Sequence, residues 1–130
     1  MNRIFFSLIV AVFFLKCGKA KEQKKPLNPE TELSADDAQL TRGKELFENA
    51  GNCVACHRPD QKIIGPSIVE IAKIYKDKNG DIVSFLKEKA DPIVDPSQYS
   101  VMKANFAITK KMPEEDLQAI EAYMYSHLIQ

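Results

Sequence analysis

The pentapeptide Cys53-Val54-Ala55-Cys56-His57 is a C-x-x-C-H motif, whose spacing is typical of covalent haem attachment. If the chain turns helically here, Cys53 and Cys56 lie three residues apart on one face, so both sulfurs can add to the vinyl groups of one haem. His57 then directs its imidazole at the iron. The motif therefore predicts one haem c held by two thioethers, with His57 as an axial ligand.

Two other kinds of site use the same residue types. A thioredoxin-like dithiol normally follows a buried β-strand, whereas the residues over 48–52 read as the end of a helix. A structural zinc site needs four ligands, and outside the motif the chain offers only Cys17 and His127, near its opposite ends. Zinc is poorly supported, and a thiol oxidoreductase with free Cys53 and Cys56 stays open as an alternative.

Length and composition allow one domain with short extensions. The chain has 130 residues, and its 45% hydrophobic content is enough for a modest core that a haem would enlarge. The net charge is zero, but residues 33–130 carry 12 Lys and Arg against 15 Asp and Glu, a net charge of −3. The chain has no excess of basic residues that would indicate nucleic-acid binding. With only three cysteines, a scaffold held together by several disulfides is not expected.

Residues 1–16 read as a secretory signal peptide with an apolar run over 4–15. The run is roughly 18 Å long as a helix, and a membrane span takes about twenty residues. Cys17 follows it, as does the acylated cysteine of bacterial lipoproteins, although Lys16 replaces the small residue usual before that cysteine. Cleavage after Ala20 and an uncleaved anchor are the alternatives. Each predicts export, to the periplasm or to a membrane facing it.

Residues 17–32 are predicted to be a flexible tether, and residues 33–130 the folded domain. The stretch 19–32 contains four Lys, three Glu and two Pro, with two apolar residues and no periodicity. If Cys17 carries lipid, the tether lets the domain swing between partners near a membrane. A passive spacer is the alternative.

Local patterns in residues 33–130 indicate helices and no clear strand. Helices are predicted from Ser34 to Ala50, from Pro66 to Asn79, over 81–89 and from Pro113 to Leu128. Between the last two, the stretch 90–100 contains Asp91-Pro92 and Asp95-Pro96 and is predicted to be a loop that leads to Met102. The fold class is therefore all-α.

Residues 33–130 resemble the class I cytochromes c of the small bacterial type. The match is carried by the motif together with Gly43, Leu46-Phe47, Gly65-Pro66, Met102-Lys103-Ala104-Asn105 and Tyr123. The resemblance implies a cytochrome c fold of about four to five short helices around one covalently bound haem, with the first and last helices crossing at Gly43. It implies that Gly43 and Phe47 pack against Ile120 and Tyr123. It also implies that the Pro66 carbonyl accepts the Nδ1 proton of His57.

The sixth iron ligand is predicted to be Met102, because it lies on a loop with slack on both sides and its Met-x-x-Asn context resembles the family's ligand loop. A methionine opposite histidine raises the haem potential relative to a second imidazole. Met112 is the alternative, and Met124 reads as a core residue of the last helix. His127 is expected to complement the dipole of that helix in solvent rather than to bind iron.

Five further side chains are candidates for contacts with the haem or its partners. Tyr75 and Tyr99 are possible hydrogen-bond partners of the haem propionates, a task often done by Trp in the family. Lys103, Lys110 and Lys111 flank the ligand loop and form either a docking patch at the haem edge or a solvated charge run.

The sequence and the resemblance together predict a one-electron carrier, whose haem iron cycles between Fe(III) and Fe(II). With both axial positions filled, no substrate chemistry is expected, so the protein is predicted not to be an enzyme. The expected partners are redox proteins and membrane respiratory or other electron-transfer complexes. A haem-based ligand sensor and a dedicated cytochrome subunit of a larger oxidoreductase complex are the alternatives.

Overall fold

The computed structural model describes residues 34–129, and the regular structure within them is helical. The α-helical segments are α1 (Ala35–Glu45), α2 (Ile68–Asp77), α3 (Ile82–Leu86), α4 (Tyr99–Met102), α5 (Phe106–Thr109) and α6 (Glu114–Ser126). Shorter turns are π-helical over Leu46–Ala50 and 3₁₀-helical over Cys53–Ala55, Pro96–Gln98 and Lys103–Asn105. The predicted all-α class is confirmed. The predicted signal peptide, Cys17 and the tether lie outside the described residues.

Three helices begin at side-chain caps that satisfy free backbone N–H groups. The Ser34 hydroxyl accepts from the Asp37 N–H at 3.1 Å, and the Asp81 carboxylate accepts from the Ser84 N–H at 2.7 Å. The helix predicted to begin at Pro66 begins instead after Ser67, whose hydroxyl accepts from the N–H of Glu70 at 3.1 Å. Pro66 therefore stays outside α2, and its carbonyl is available to the site.

Helices α1 and α6 cross at Gly43, as the resemblance predicts. A Cβ atom at this position would overlap the backbone of Ala119 and lie 2.8 Å from the Tyr123 Cβ. One turn later the Phe47 ring packs on the Tyr123 ring, with centroids 5.5 Å apart. Both Phe47 and Ile120 are buried. Because Gly43 has no side chain, the backbones of α1 and α6 can approach closely at this crossing.

Residues 96–109 are more helical than predicted. Asp91-Pro92 and Asp95-Pro96 predict a loop over 90–100, yet Pro96 is the first residue of a 3₁₀ turn, a position at which proline needs no N–H partner. α4, a second 3₁₀ turn and α5 follow directly. The predicted loop is therefore wrong from residue 96 onward. α3 is shorter than predicted, because the chain turns at Glu88 with a left-handed φ of 57°.

The core lies between α6 and the other long helices. Its buried side chains include Leu46, Phe47, Ile68, Ile71, Tyr75, Ile82, Leu86, Leu117, Ile120 and Met124. None of the helices formed by residues 34–129 is long and apolar enough to cross a membrane.

Candidate functional site

The C-x-x-C-H motif is presented by a change in helical winding. The π-helical turn after α1 closes with a hydrogen bond of 2.7 Å from the Gly51 N–H to the Leu46 carbonyl. Asn52 then adopts a left-handed φ of 52°, and a 3₁₀ turn begins at Cys53. The His57 N–H donates to the Cys53 carbonyl at 2.9 Å. The motif therefore does turn helically, as its haem interpretation requires.

A mostly apolar cavity of about 320 Å³ lies next to this turn. It is lined by Cys53, Cys56, His57, Gly65, Pro66, Tyr75, Tyr99, Met102 and Met124, together with Phe47, Asn52, Ala55, Ile64, Ile71, Ile82, Phe85, Leu86, Pro92, Ile93, Val94, Asp95, Gln98, Val101, Ala104, Asn105, Ile108 and Ile120. All the predicted cofactor-binding residues within the described part of the chain therefore border one space. A pocket of this size and apolar character suits an organic cofactor.

The His57 imidazole has a fixed orientation. Its Nδ1 atom lies 2.7 Å from the Pro66 carbonyl oxygen, and since a carbonyl only accepts, Nδ1 carries the proton and the Nε2 lone pair is free for a metal. Burial lowers the pKa of His57, and the hydrogen bond to Pro66 partly opposes this shift. A Cβ atom on Gly65 would lie 2.5 Å from the His57 Cε1 atom. The ring therefore requires glycine at position 65.

The two cysteines of the motif lie at the cavity wall, where Cys53 is buried and Cys56 is half-buried. Burial raises the pKa of Cys53 to about 12, whereas a redox-active dithiol has a lowered cysteine pKa. In this respect Cys53 differs from the reactive cysteine of a thiol oxidoreductase. Residues 34–129 also contain no cluster of three His, Cys, Asp or Glu side chains able to hold a metal ion such as structural zinc.

The methionine candidates differ in their relation to the cavity. Met102, the last residue of α4, is half-buried and lines it. Met124 also lines it, but is buried on the α6 face of the core, as predicted. Met112 packs against the core and is absent from the cavity wall formed by residues 34–129. Met102 also packs against the core from outside it, but unlike Met112 it borders the cavity, and unlike Met124 it is not one of the buried core residues.

Both predicted tyrosine partners line the cavity. Tyr75 is only 3% exposed, and its hydroxyl has no hydrogen-bond partner among residues 34–129. Burial raises the pKa of Tyr75, so the group remains a proton donor. A buried polar group normally has a partner. An acceptor carried by a bound cofactor, such as a carboxylate, would therefore suit this hydroxyl.

His127 does not complement a helix dipole in solvent, so that expectation is wrong. The residue is half-buried, its ring meets the Tyr123 ring edge-on with centroids 4.9 Å apart, and its Nε2 atom is buried without a partner in the described part of the chain. Burial lowers the pKa of His127. His127 is also absent from the cavity wall as far as residues 34–129 define it.

Two of the three lysines near Met102 are engaged within the protein. Lys103 lies 3.3 Å and Lys110 lies 2.6 Å from the carboxylate of Glu88. The two predicted alternatives for these lysines, a docking patch and a solvated charge run, did not include ion pairs within the protein. Glu88 was not among the predicted site residues, because its ion pairs join residues that are distant in sequence. Its sequence context contains only one weak signal, a charged residue just after an apolar helix.

Comparison with known proteins gives two findings. A family model described as Cytochrome c matches residues 40–127. Cytochrome c-552 from Nitrosomonas europaea is 42% identical to this chain over 38 residues, which are 29% of this chain. The matched region covers 36% of that relative's length.

Proposed function

Because the chain belongs to the cytochrome c family and its cofactor is a covalently bound haem c, we propose that it is a one-electron carrier with His57 and Met102 as axial ligands. Cys53 and Cys56 supply the two thioether bonds. The observation that carries this proposal is that all four side chains border one apolar cavity, with the Nδ1 atom of His57 already engaged by Pro66.

The protein's own residues prepare the histidine side of the site. The Pro66 carbonyl holds His57 in the tautomer that leaves Nε2 free, and this hydrogen bond raises the basicity of the ligand. Gly65 leaves room for the ring. When bound, the haem iron supplies the redox chemistry, and the fold sets its ligation and burial.

The assignment of Met102 follows from its position. Met102 lines the cavity from a short helix between two turns. Met112 is absent from the wall that residues 34–129 form, and Met124, which also lines the cavity, is a buried residue of the core. A thioether at this site raises the reduction potential relative to a second imidazole. His57 is held by its hydrogen bond to Pro66, and Met102 is the last residue of α4. Because both proposed ligands are held in an apolar wall in this way, little rearrangement is needed when the electron is gained or lost.

Tyr75 is proposed to donate a hydrogen bond to a haem propionate, since its buried hydroxyl otherwise lacks an acceptor in the described residues. Tyr99, which also lines the cavity, is the second candidate donor.

The proposed setting is the periplasm or a membrane surface facing it. Support comes from the signal-like run over 4–15 and from Cys17, which is proposed as a lipid attachment site. The partners are proposed to be redox proteins, including membrane electron-transfer complexes. With both axial positions filled, the protein acts as a carrier and not as an enzyme. If the chain is instead a dedicated subunit of a larger oxidoreductase complex, it should co-purify with that complex at fixed stoichiometry.

The test of the ligand assignment is an absorption spectrum of the oxidised protein matured with haem. We expect a low-spin c-type spectrum with the far-red methionine–iron band. Met102→Ala should lose the band, and the matched variant Met112→Ala should keep it. Loss of the band in Met112→Ala alone would transfer the assignment to Met112, and absence of covalent haem from the parent would overturn the proposal.

A further inference from the structure

The chain around Met102 is attached to the end of α3 by ion pairs on one carboxylate. We call residues 99–110 the Met102 segment. The Glu88 Oε1 atom lies 3.3 Å from the Lys103 Nζ atom, and its Oε2 atom lies 2.6 Å from the Lys110 Nζ atom. The Glu88 side chain is 26% exposed, less than either lysine side chain. One carboxylate therefore contacts the segment directly after Met102 and again at its end.

A buried hydrogen bond holds the same two elements together. Thr109 is fully buried, and its hydroxyl donates to the Leu86 carbonyl at 2.6 Å. Leu86 is the last residue of α3, where backbone carbonyls have no partner within the helix. Thr109, which belongs to the Met102 segment, thus gives a hydrogen-bond partner to the free carbonyl of Leu86, two residues before Glu88.

The backbone of Glu88 is in a conformation that favours glycine. Its φ is 57°, and its N–H donates to the Phe85 carbonyl at 2.8 Å in the turn that ends α3. Glycine would adopt this conformation without strain, but it could not contact the lysines. The hydrogen bonds from Lys110 and Lys103 lower the pKa of Glu88, so the carboxylate is charged at neutral pH.

We propose that Glu88 is a positioning residue for Met102, acting through Lys103 and Lys110 to hold the Met102 segment across the cavity. The inference rests on the proposed ligation by Met102. Lys103 follows Met102 directly in the chain, so its ion pair restrains the backbone beside the ligand. These two lysines act within the molecule rather than as a free docking patch.

The experiment compares the haem-loaded parent with Glu88→Gln. Amide hydrogen exchange is measured over residues 99–110, and the far-red methionine–iron band is followed during denaturant titration beside far-ultraviolet circular dichroism. We expect exchange over 99–110 to be roughly three- to tenfold faster in Glu88→Gln, and the band to be lost at a lower denaturant concentration than the helical signal. High salt should reduce the difference from the parent, because exposed ion pairs are screened.

Two control variants separate this role from general stability. Glu114→Gln removes the exposed ion pair with Lys87 at 3.3 Å, outside the Met102 segment, and should leave exchange over 99–110 unchanged. Glu88→Gly removes the carboxylate and also relieves the backbone strain at this position. The methionine–iron band should therefore be lost at a lower denaturant concentration than in the parent, although the midpoint of helical unfolding need not fall.

The outcomes distinguish the two proposals. If the parent shows the band and Glu88→Gln matches Glu114→Gln in both readouts, the positioning role is wrong and the ligation stands. If Met102→Ala keeps the band, the proposed ligation itself is wrong. Exchange that is faster across the whole chain of Glu88→Gln, with band and helices lost together, would also overturn the positioning role.

Discussion

The two sides of the cavity are built differently. On the histidine side, which we call the motif loop (residues 52–66), the order comes from contacts close in sequence: the His57 N–H bonds to Cys53 at 2.9 Å, and its ring bonds to Pro66 at 2.7 Å. On the other side, the Met102 segment is held by α3 through Glu88 and Thr109. One side is organised locally, and the other depends on tertiary contacts.

This difference determines how each side should respond to change. Local hydrogen bonds and steric fit leave the histidine few alternative positions, so a change there should abolish the site. Contacts with an adjacent helix can be lost one at a time, so changes to the Met102 segment should weaken it in steps.

The largest effect is expected from Gly65→Val in the motif loop. Even a Cβ atom would lie 2.5 Å from the His57 Cε1 atom, so the larger side chain must displace the ring or the chain. We expect destabilisation of about 3 kcal/mol and loss of low-spin haem, measured by chemical denaturation and absorption. Ala107→Val, at an exposed position of α5, is the control and should keep its spectrum. A normal spectrum in Gly65→Val would show that the motif loop is not the rigid side.

Thr109→Val tests the Met102 segment with a side chain of the same shape. The Leu86 carbonyl would lose its buried 2.6 Å hydrogen bond, at a cost of about 1–3 kcal/mol. The variant should keep its haem but lose the far-red band at lower denaturant concentration than the parent. Thr109→Ser, which retains the hydroxyl, should be closer to the parent in band stability. Equal behaviour of Val and Ser would contradict a role for the hydrogen bond.

Arg42→Ala tests a contact outside both sides of the cavity. Arg42 and Asp116 form a bidentate ion pair across the α1–α6 crossing, with distances of 2.9 to 3.1 Å between the guanidinium nitrogens and the carboxylate oxygens. Arg42 is exposed, so we expect a loss of only about 0.5–1 kcal/mol, smaller at high salt. Denaturation should shift while the spectrum stays the same. A spectral change would mean that the crossing controls the ligands directly.

The smallest effect is a pH dependence from His127. Burial lowers its pKa in the folded state, so the unfolded chain binds the proton more readily. The stability that comes from neutral His127 is therefore present above the ordinary histidine pKa of about 6.5 and is lost as pH falls through the lowered folded pKa. Denaturation between pH 7.5 and 5.5 should show this loss in the parent and less of it in His127→Phe. Equal slopes in the two proteins would contradict the assignment.

The local features of the fold were predictable from sequence. Ser34 and Asp81 cap helices because their side chains accept N–H bonds from three residues ahead. The crossing at Gly43 was implied by the family resemblance, and the helical turn of the motif followed from its cysteine spacing. The predicted role of Met102 remains a proposal, although it borders the cavity as expected.

The rest depends on contacts that no local pattern contains. The helices over 99–109 form where Phe106 packs on Phe85, with ring centroids 5.3 Å apart, and where Glu88 and Thr109 join the segment to α3. His127 is turned onto Tyr123 by the end of α6. The predicted start of α2 at Pro66 is two residues too early, because Ser67 is the N-cap and Ile68 is the first helical residue.

The most direct test of a carrier with both axial positions filled is carbon monoxide binding by the reduced protein under native conditions. The parent should show no binding at ligand concentrations that saturate Met102→Ala, because the sixth position is filled in the parent and open in the variant. Tight binding by the parent, equal to that of Met102→Ala, would contradict the carrier and favour a haem-based ligand sensor.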